Sequence, residues 1–318
     1  MSEAVSIERP HQPDYSTVTA DELAAYRTAE NRFRASKAAR ALIGTPDPAA
    51  AITWQQVSLP GRELPVRVYQ PERGSTDELP LVIHVHGGSF VGTAVQCDWA
   101  NSYLAAHLPA VIVSVEHRLL TADTPLPAAA DDGWDVLEHV LLHAAHWGVD
   151  PGRTAVFGES CGALISALTA IRAERNGLRL RAQVLVNPAT DVTETMFDYP
   201  SITEYGDTPT VATAQFRAQL ELFRRLAIPA GTDARALSPL YADALGELAP
   251  ALVVVPTHDP VADHGRRYAE RLQAAGTPTQ LLEYPGATHA FLTTPGVTPQ
   301  AETARADILE FLRASLAR

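Results

Sequence analysis

The amino-acid sequence predicts an α/β protein: a mostly parallel, eight-stranded sheet with helices on both faces and a helical cap. Three observations carry this expectation. From residue 81 onward, short apolar runs alternate with stretches of helical period, the pattern of repeated β-α units. A long, aromatic-containing segment, residues 190–243, interrupts that rhythm, as lids and binding elements do in compact domains. The length, 318 residues, lies at the upper end of what one core can fill, so one domain with an appendage is expected.

Taken in order, residues 1–18 read as a mobile leader and residues 21–43 as a helix, with Asp21 as N-cap and Gly44 as its stop. Residues 45–48 form a linker. Residues 54–59 and 65–69 then read as short strands around Pro60-Gly61, an antiparallel hairpin. Leu81-Val82-Ile83 is a continuous apolar run, as a strand buried on both faces requires. A helix over 98–107, a strand at 110–115, a helix over 128–146, a strand at 154–157, a helix from Cys161 and a strand at 182–186 follow. After the insertion, whose one helical stretch is expected near 213–226, come a strand at 251–255, a helix over 263–275, a strand at 279–284 and a last helix over 302–316. The domains expected are a cap helix and leader (1–45), the core in two parts (46–189 and 244–318) and a cap insertion between them (190–243).

Composition narrows the function. Hydrophobic residues make up 46% and charged residues 19%, ordinary for a globular protein. The formal charge of −12 argues against nucleic acid and anionic membrane surfaces as partners. No run approaches the roughly 18 apolar residues of a membrane span, and the N-terminus lacks the basic start and apolar stretch of a secretory signal. With only Cys97 and Cys161, no disulfide framework is expected, and a reducing cytoplasm is the simplest location.

The chemistry concentrates in a few motifs. Gly158-Glu159-Ser160-Cys161-Gly162 follows the strand at 154–157 and opens a helix. A sharp strand-to-helix turn crowds the backbone two positions before and after the serine. Glycine fits there, and the serine is pushed out at the carboxyl edge of the sheet. Ser160 is therefore the candidate nucleophile, with a helix N-terminus behind it to favour developing negative charge. His86-Gly87-Gly88-Ser89-Phe90 comes directly after the strand at 81–83. A glycine-rich turn there can aim backbone N–H groups at one spot, as an oxyanion hole needs. Gly87, Gly88 and Ser89 form that turn. The N–H groups of Gly88 and Ser89 are the candidate donors, with the Cys161 N–H as the third.

A base and an orienting acid should follow in the order serine, acid, histidine. His289 lies in a loop just after the strand at 279–284 and is the candidate base, with His258 and His264 as rivals. Asp259, fixed by Pro260 after the strand at 251–255, is the candidate acid; its rival Asp263 reads as a helix cap. His139, His143 and His146 resemble a metal site by spacing, but without cysteine or paired carboxylates they read as a solvated or packed face. The Cys161 thiol has two readings: a small inert hydrophobe, or a thiol activated by the helix N-terminus.

Together these motifs resemble the hormone-sensitive-lipase-like carboxylesterases (family IV) of the α/β-hydrolase superfamily, from about residue 80 to the C-terminus. His86-Gly87-Gly88-Ser89 is similar to that family's H-G-G-G. Glu116-His117-Arg118-Leu119 with Pro127-Ala128-Ala129 resembles D-Y-R-L…P-A-A. Residues 158–163 resemble G-D-S-A-G-G, Asp259-Pro260 with Asp263 resembles D-P-L-x-D, and His289-Ala290-Phe291 resembles H-G-F. Ser89, Glu159, Cys161, Ala163 and His117 depart from the pattern, and none of them is a triad member. The resemblance implies a serine esterase acting on short- to medium-chain acyl esters through an acyl-enzyme. It implies no metal or organic cofactor, a small-molecule ester as substrate, and a possible homodimer. A specialised ester, a lactone or an amide as substrate, or a non-catalytic binding protein of the same fold, remain open.

Overall fold

The computed structural model describes residues 8–72, 78–205 and 215–317. In chain order, α1 (Ala20–Arg34) and the short α2 (Arg40–Ile43) precede the hairpin of β1 (Ala50–Leu59) and β2 (Arg62–Pro71). Then come β3 (Leu79–Val85), α3 (Asp98–His107), β4 (Val111–Val115), α4 (Leu126–Leu142), α5 (Ala144–Trp147), β5 (Val149–Glu159), α6 (Cys161–Arg175) and β6 (Ala182–Val186). The insertion contributes α7 (Pro200–Tyr205) and α8 (Phe216–Ala227). The chain closes with β7 (Ala251–His258), α9 (Ala262–Ala275), β8 (Thr279–Thr288) and α10 (Gln300–Ser315).

The eight strands form one sheet in the order β1-β2-β4-β3-β5-β6-β7-β8. β1 pairs antiparallel with β2, and β2 with β4; every pair from β4 to β8 is parallel. The apolar runs are continuous because both faces are covered. Leu81, Ile83 and Val85 of β3 pack with Leu137 of α4 and Leu164 of α6, while Val82 between them packs with Leu104 of α3 and Ile308 of α10. β7 repeats the division: Val253 and Val255 meet Tyr268 of α9, and Leu252 and Val254 meet the α10 side. Successive side chains of a strand point to opposite faces, so each run supplies two cores at once.

Several boundaries differ from expectation, each for a local reason. The helix expected over 21–43 ends at Arg34, because Ser36 is extended (ψ 161°) and starts a separate turn. Its N-cap is Thr19 rather than Asp21. The Thr19 hydroxyl accepts from the Glu22 N–H, and the Glu22 carboxylate accepts from the Thr19 N–H. The leader is not loose from Arg9 on: Arg9 pairs with the buried Glu30, and Tyr15 is 1% exposed. Residues 1–7, and the expected helix start at 213, lie outside the described residues. The helix expected over 128–146 breaks at His143, and the strands run a few residues beyond their most apolar centres.

α1 is tied to the loop after β3 by polar contacts to backbone. Asn31 Nδ2 donates to the Gly92 carbonyl (2.8 Å), and its Oδ1 accepts from the Gly92 N–H (2.9 Å). Arg27 donates to the carbonyls of Phe90 (2.6 Å) and Leu120 (2.8 Å). Replacing Asn31 leaves both Gly92 groups unpaired in a half-buried place. Asn31→Ala is expected to cost about 1–3 kcal/mol, read as a lower urea midpoint at unchanged slope. A midpoint equal to the parent's would mean that water replaces the amide at no cost.

Candidate active site

The site is built on the turn between β5 and α6. Ser160 has φ 54° and ψ −119°, and its N–H donates to the Val186 carbonyl of β6 (2.9 Å). The flanking glycines are there because no side chain fits. A Cβ on Gly158 would lie 2.2 Å from the Gly162 carbonyl oxygen, and one on Gly162 would lie 2.1 Å from the Val85 carbonyl oxygen of β3. A left-handed conformation at a non-glycine residue is costly and persists only where the surroundings enforce it. Here two neighbouring strands do so, and the serine hydroxyl is presented beyond the sheet's carboxyl edge.

β7 and β8 bring the other two residues to that edge. Ser160 Oγ lies 2.9 Å from His289 Nε2, and His289 Nδ1 lies 2.9 and 3.0 Å from the two carboxylate oxygens of Asp259. Asp259 is fully buried and also accepts from the Val261 N–H (2.9 Å). A carboxylate at Nδ1 fixes the proton on that nitrogen and leaves Nε2 free to accept from the serine hydroxyl. The Phe216 ring of α8 stands edge-on to the imidazole at 4.5 Å. The rivals are occupied elsewhere. His258 is exposed and stacks on Tyr205, and His264 is buried with Nδ1 accepting from the Asp191 N–H. Asp263 accepts from the Ser201 N–H and pairs with Arg266.

The turn after β3 abuts the same point: a Cβ on Gly87 would sit 3.1 Å from the Glu159 carbonyl oxygen and 3.6 Å from Ser160 Cβ. Gly88 has φ 99°, and a side chain there would collide with the Val91 carbonyl at 1.8 Å. Among the described residues no backbone acceptor takes the N–H of Gly88, Ser89 or Cys161. The turn is braced from below. The Gly87 carbonyl accepts from Gln96 Nε2 (3.1 Å) and from His86 Nδ1 (2.8 Å), and the Ser89 carbonyl accepts from the Leu120 N–H (2.8 Å). His117, which stands where the resembled family has tyrosine, stacks on His86 at 4.4 Å. Burial pushes His86 down to about 3 and His117 to about 4, so both rings are neutral at pH 7.

A cavity of about 150 Å³ opens onto Ser160 and His289. Phe216, Leu220 and Phe223 of the insertion and Tyr15, Tyr26 and Phe33 of the N-terminal segment line it. Cys161 also borders it, but the thiol is buried and pushed up to about 12, so the helix N-terminus does not activate it and the hydrophobe reading fits better. Among the described residues His139 and His143 at the end of α4 and His146 in α5 form no ion pair with an acid, and His139 and His143 stack on each other at 4.3 Å. Among the described residues the one group with metal-ligand proximity is His84, Cys97 and Glu159, buried, with ligand atoms within 4.8 Å of one another. Sequence reasoning missed that cluster, because β3, the loop before α3 and β5 meet only in space. It also missed Gln96 and Asn31, although Thr93-x-x-Gln96 is a legible capping box.

A hydroxyl, an imidazole and a buried carboxylate in series, at the carboxyl edge of a parallel sheet, is the arrangement of a serine hydrolase. A sequence profile described as the alpha/beta hydrolase fold matches residues 82–293. A carboxylesterase, NlhH, of Mycobacterium tuberculosis is 35% identical over 263 residues, covering 80% of this chain and 79% of that protein. An ethyl acetate hydrolase of Pseudomonas putida is 31% identical, covering 80% of each. The solved structure of a hyperthermophilic esterase from the archaeon Pyrobaculum calidifontis superposes with a TM-score of 0.81 at 28% identity, covering 93% of this chain and 94% of that one. The chain belongs to the α/β-hydrolase fold family, in its hormone-sensitive-lipase-like branch.

The close approaches predict that Gly162→Ala destabilises the fold by about 3 kcal/mol, seen as a lowered thermal midpoint, since the obstructing atoms are backbone. For Cys161, iodoacetamide at neutral pH should leave the thiol unlabelled in the folded protein and label it in denaturant, as peptide mass spectrometry would read. Rapid labelling in the folded state would overturn the buried assignment.

Proposed function

We propose that this protein is a serine carboxylesterase that cleaves short- to medium-chain acyl esters through an acyl-enzyme. The observation that carries the reading is the unbroken chain Ser160 Oγ, His289 Nε2, His289 Nδ1, Asp259 at 2.9 to 3.0 Å, facing a largely apolar cavity. Relatives named as esterases support it.

Ser160 Oγ attacks the ester carbonyl while His289 Nε2 takes the hydroxyl proton. The N–H groups of Gly88, Ser89 and Cys161 receive the oxyanion in the turn that begins at Gly87, and the positive end of α6 adds to their effect. Collapse expels the alcohol, which takes the proton back from Nε2. A water then enters, His289 removes its proton, and the resulting tetrahedral species releases the acid and restores the Ser160 hydroxyl. Asp259 holds the ring orientation and stabilises the imidazolium between the two proton transfers. The N-terminal segment and residues 190–243 act as the cap.

The size of the cavity sets the acyl preference. A partly open space near 150 Å³ has about the volume of a cavity that takes one benzene, which suits a short chain. Both cysteines are buried and unpaired, which fits a reducing compartment, and no helix among the described residues is long and apolar enough to cross a membrane.

Ser160→Ala and His289→Ala are expected to remove nearly all turnover of p-nitrophenyl butyrate with the fold intact by circular dichroism. Asp259→Asn should cost about 10⁴-fold in turnover, as in the serine-protease template, while Asp263→Asn should be mild. The reverse ranking of the two aspartates would refute the acid assignment. Along a p-nitrophenyl series, each added CH₂ should gain about 0.8 kcal/mol, roughly fourfold in kcat/KM, until the cavity is full, and nothing after. A profile still rising at long chains would contradict the closed cap.

A further inference from the structure

We propose that the cap-side wall of the cavity is an anion-accepting subsite, and that the preferred ester carries a carboxylate a few carbons from its scissile carbonyl. This rests on the esterase reading above and names the substrate class for the same site.

The first observation is a charge in an apolar place. The buried stripe of α1 is Leu23, Tyr26, Glu30 and Phe33, a helical spacing with a carboxylate in the middle. Glu30 is fully buried and borders the cavity. It accepts from Arg9 Nε (3.2 Å) and Nη2 (3.0 Å), and from Arg34 Nε (2.9 Å). Both guanidiniums border the cavity too, with side chains 33% and 19% exposed. Two guanidiniums share one carboxylate, so the cluster carries one positive charge more than it balances. The other acid at the cavity, Glu159, is next to Ser160 in the chain and 3.7 Å from His84, so the positive surplus belongs to the Glu30 cluster and not to the cavity as a whole.

The second observation is a buried hydroxyl at the cavity wall. Tyr15 is 1% exposed and borders the cavity, and its hydroxyl lies close to the side chains of Tyr26 and Gln219. Burial raises its pKa, so the proton stays on and the group is a donor. A wall that only anchored the N-terminal segment would be cheaper if apolar, because a buried ion pair must repay the desolvation of both partners. A surplus guanidinium in a wall that also holds a buried tyrosine hydroxyl is instead the recognition chemistry of a carboxylate, which matches the guanidinium fork.

The third observation fixes the reach. Arg34 Nη1 donates to Gln96 Oε1, and Gln96 Nε2 donates to the Gly87 carbonyl at 3.1 Å. One glutamine side chain therefore separates the charged wall from the turn that receives the oxyanion. An anion on the wall lies a short chain away from the carbonyl under attack.

The test is a ratio of kcat/KM values, charged over uncharged, read by proton release. On the acyl side the pair is monomethyl glutarate and methyl pentanoate. On the alcohol side it is 4-butanoyloxybutanoate and pentyl butanoate. In the parent the ratio for one pair should be at least about one and should fall as salt rises, since screening weakens charge attraction. Arg9→Met should lower that ratio about tenfold, the scale of a lost charge-assisted pair. Glu30→Gln should raise it, because it frees the guanidiniums. A purely structural cluster would move both variants the same way, since both break the same ion pair. Should Arg9→Met fail to fold, Glu30→Gln and the salt dependence of the parent decide the same question. Ratios unmoved by salt and by both variants, with the uncharged esters still cleaved, would overturn the subsite and leave the esterase standing. If none of the four esters is cleaved, the esterase reading fails instead.

Discussion

The crowding of backbone around Ser160 is the constraint on which the site depends. Gly158 lies against Gly162, Gly162 lies against the end of β3, and the Ser160 N–H is pinned to β6. Three consecutive strands of the sheet, β3, β5 and β6, thereby hold one left-handed residue. The same contacts direct the N-terminus of α6 at the serine and press Gly87 against the turn from the other side. Ser160, the N-terminus of α6 and the turn at Gly87 are then a single rigid object rather than three parts to be aligned. The strain at Ser160 is offset by the parallel core that β3, β5 and β6 form with α4 and α6, buried on both faces.

Around that rigid centre the polar contacts are uneven. The insertion meets the cavity with apolar side chains, Phe216, Leu220 and Phe223. The N-terminal segment meets it with charge and amide groups. Asn31 and Arg27 satisfy backbone groups of the loop after β3, while Arg34 reaches that loop through Gln96. Displacing α1 would leave several backbone groups of the loop unpaired and would part Glu30 from Arg9, each at a cost. Displacing α8 would expose mainly apolar surface. If these segments are the proposed cap, its α1 half is the more firmly held and its α8 half is held mainly by apolar packing.

Electrostatics also explains why neighbouring reactive groups stay silent. His86 and His117 stack face to face in a dry place, where two positive charges would repel and lose their hydration, so both are held neutral. Cys161 sits at a helix N-terminus, yet it is buried, and burial raises its pKa and keeps its proton on. Ser114 also has a histidine nitrogen within hydrogen-bond reach, that of His84 at 2.8 Å, but both are buried in the sheet, whereas Ser160 and His289 border the cavity.

Much of this was legible in the chain itself. Strands with both faces buried are apolar at nearly every position, so the runs at 81–83, 182–186 (Gln183 apart) and 251–255 declared a parallel sheet. Crowding admits only glycine, so Gly158 and Gly162 declared the turn, and the order of Ser160, Asp259 and His289 along the chain supplied the site residues that the fold brings together. Boundaries were less legible. Thr19 took the cap from Asp21, and Ser36 broke α1, because capping depends on side-chain geometry that several polar residues can satisfy. What only the tertiary structure decided is which distant groups meet: Glu30 with Arg9 and Arg34, Asn31 with Gly92, Gln96 with Gly87, and His84 with Cys97 and Glu159. Pairing across tens of residues leaves no period in a sequence. Glu30 left the one trace available, a charge in an apolar stripe, and its partners could be read only after the chain had closed around it.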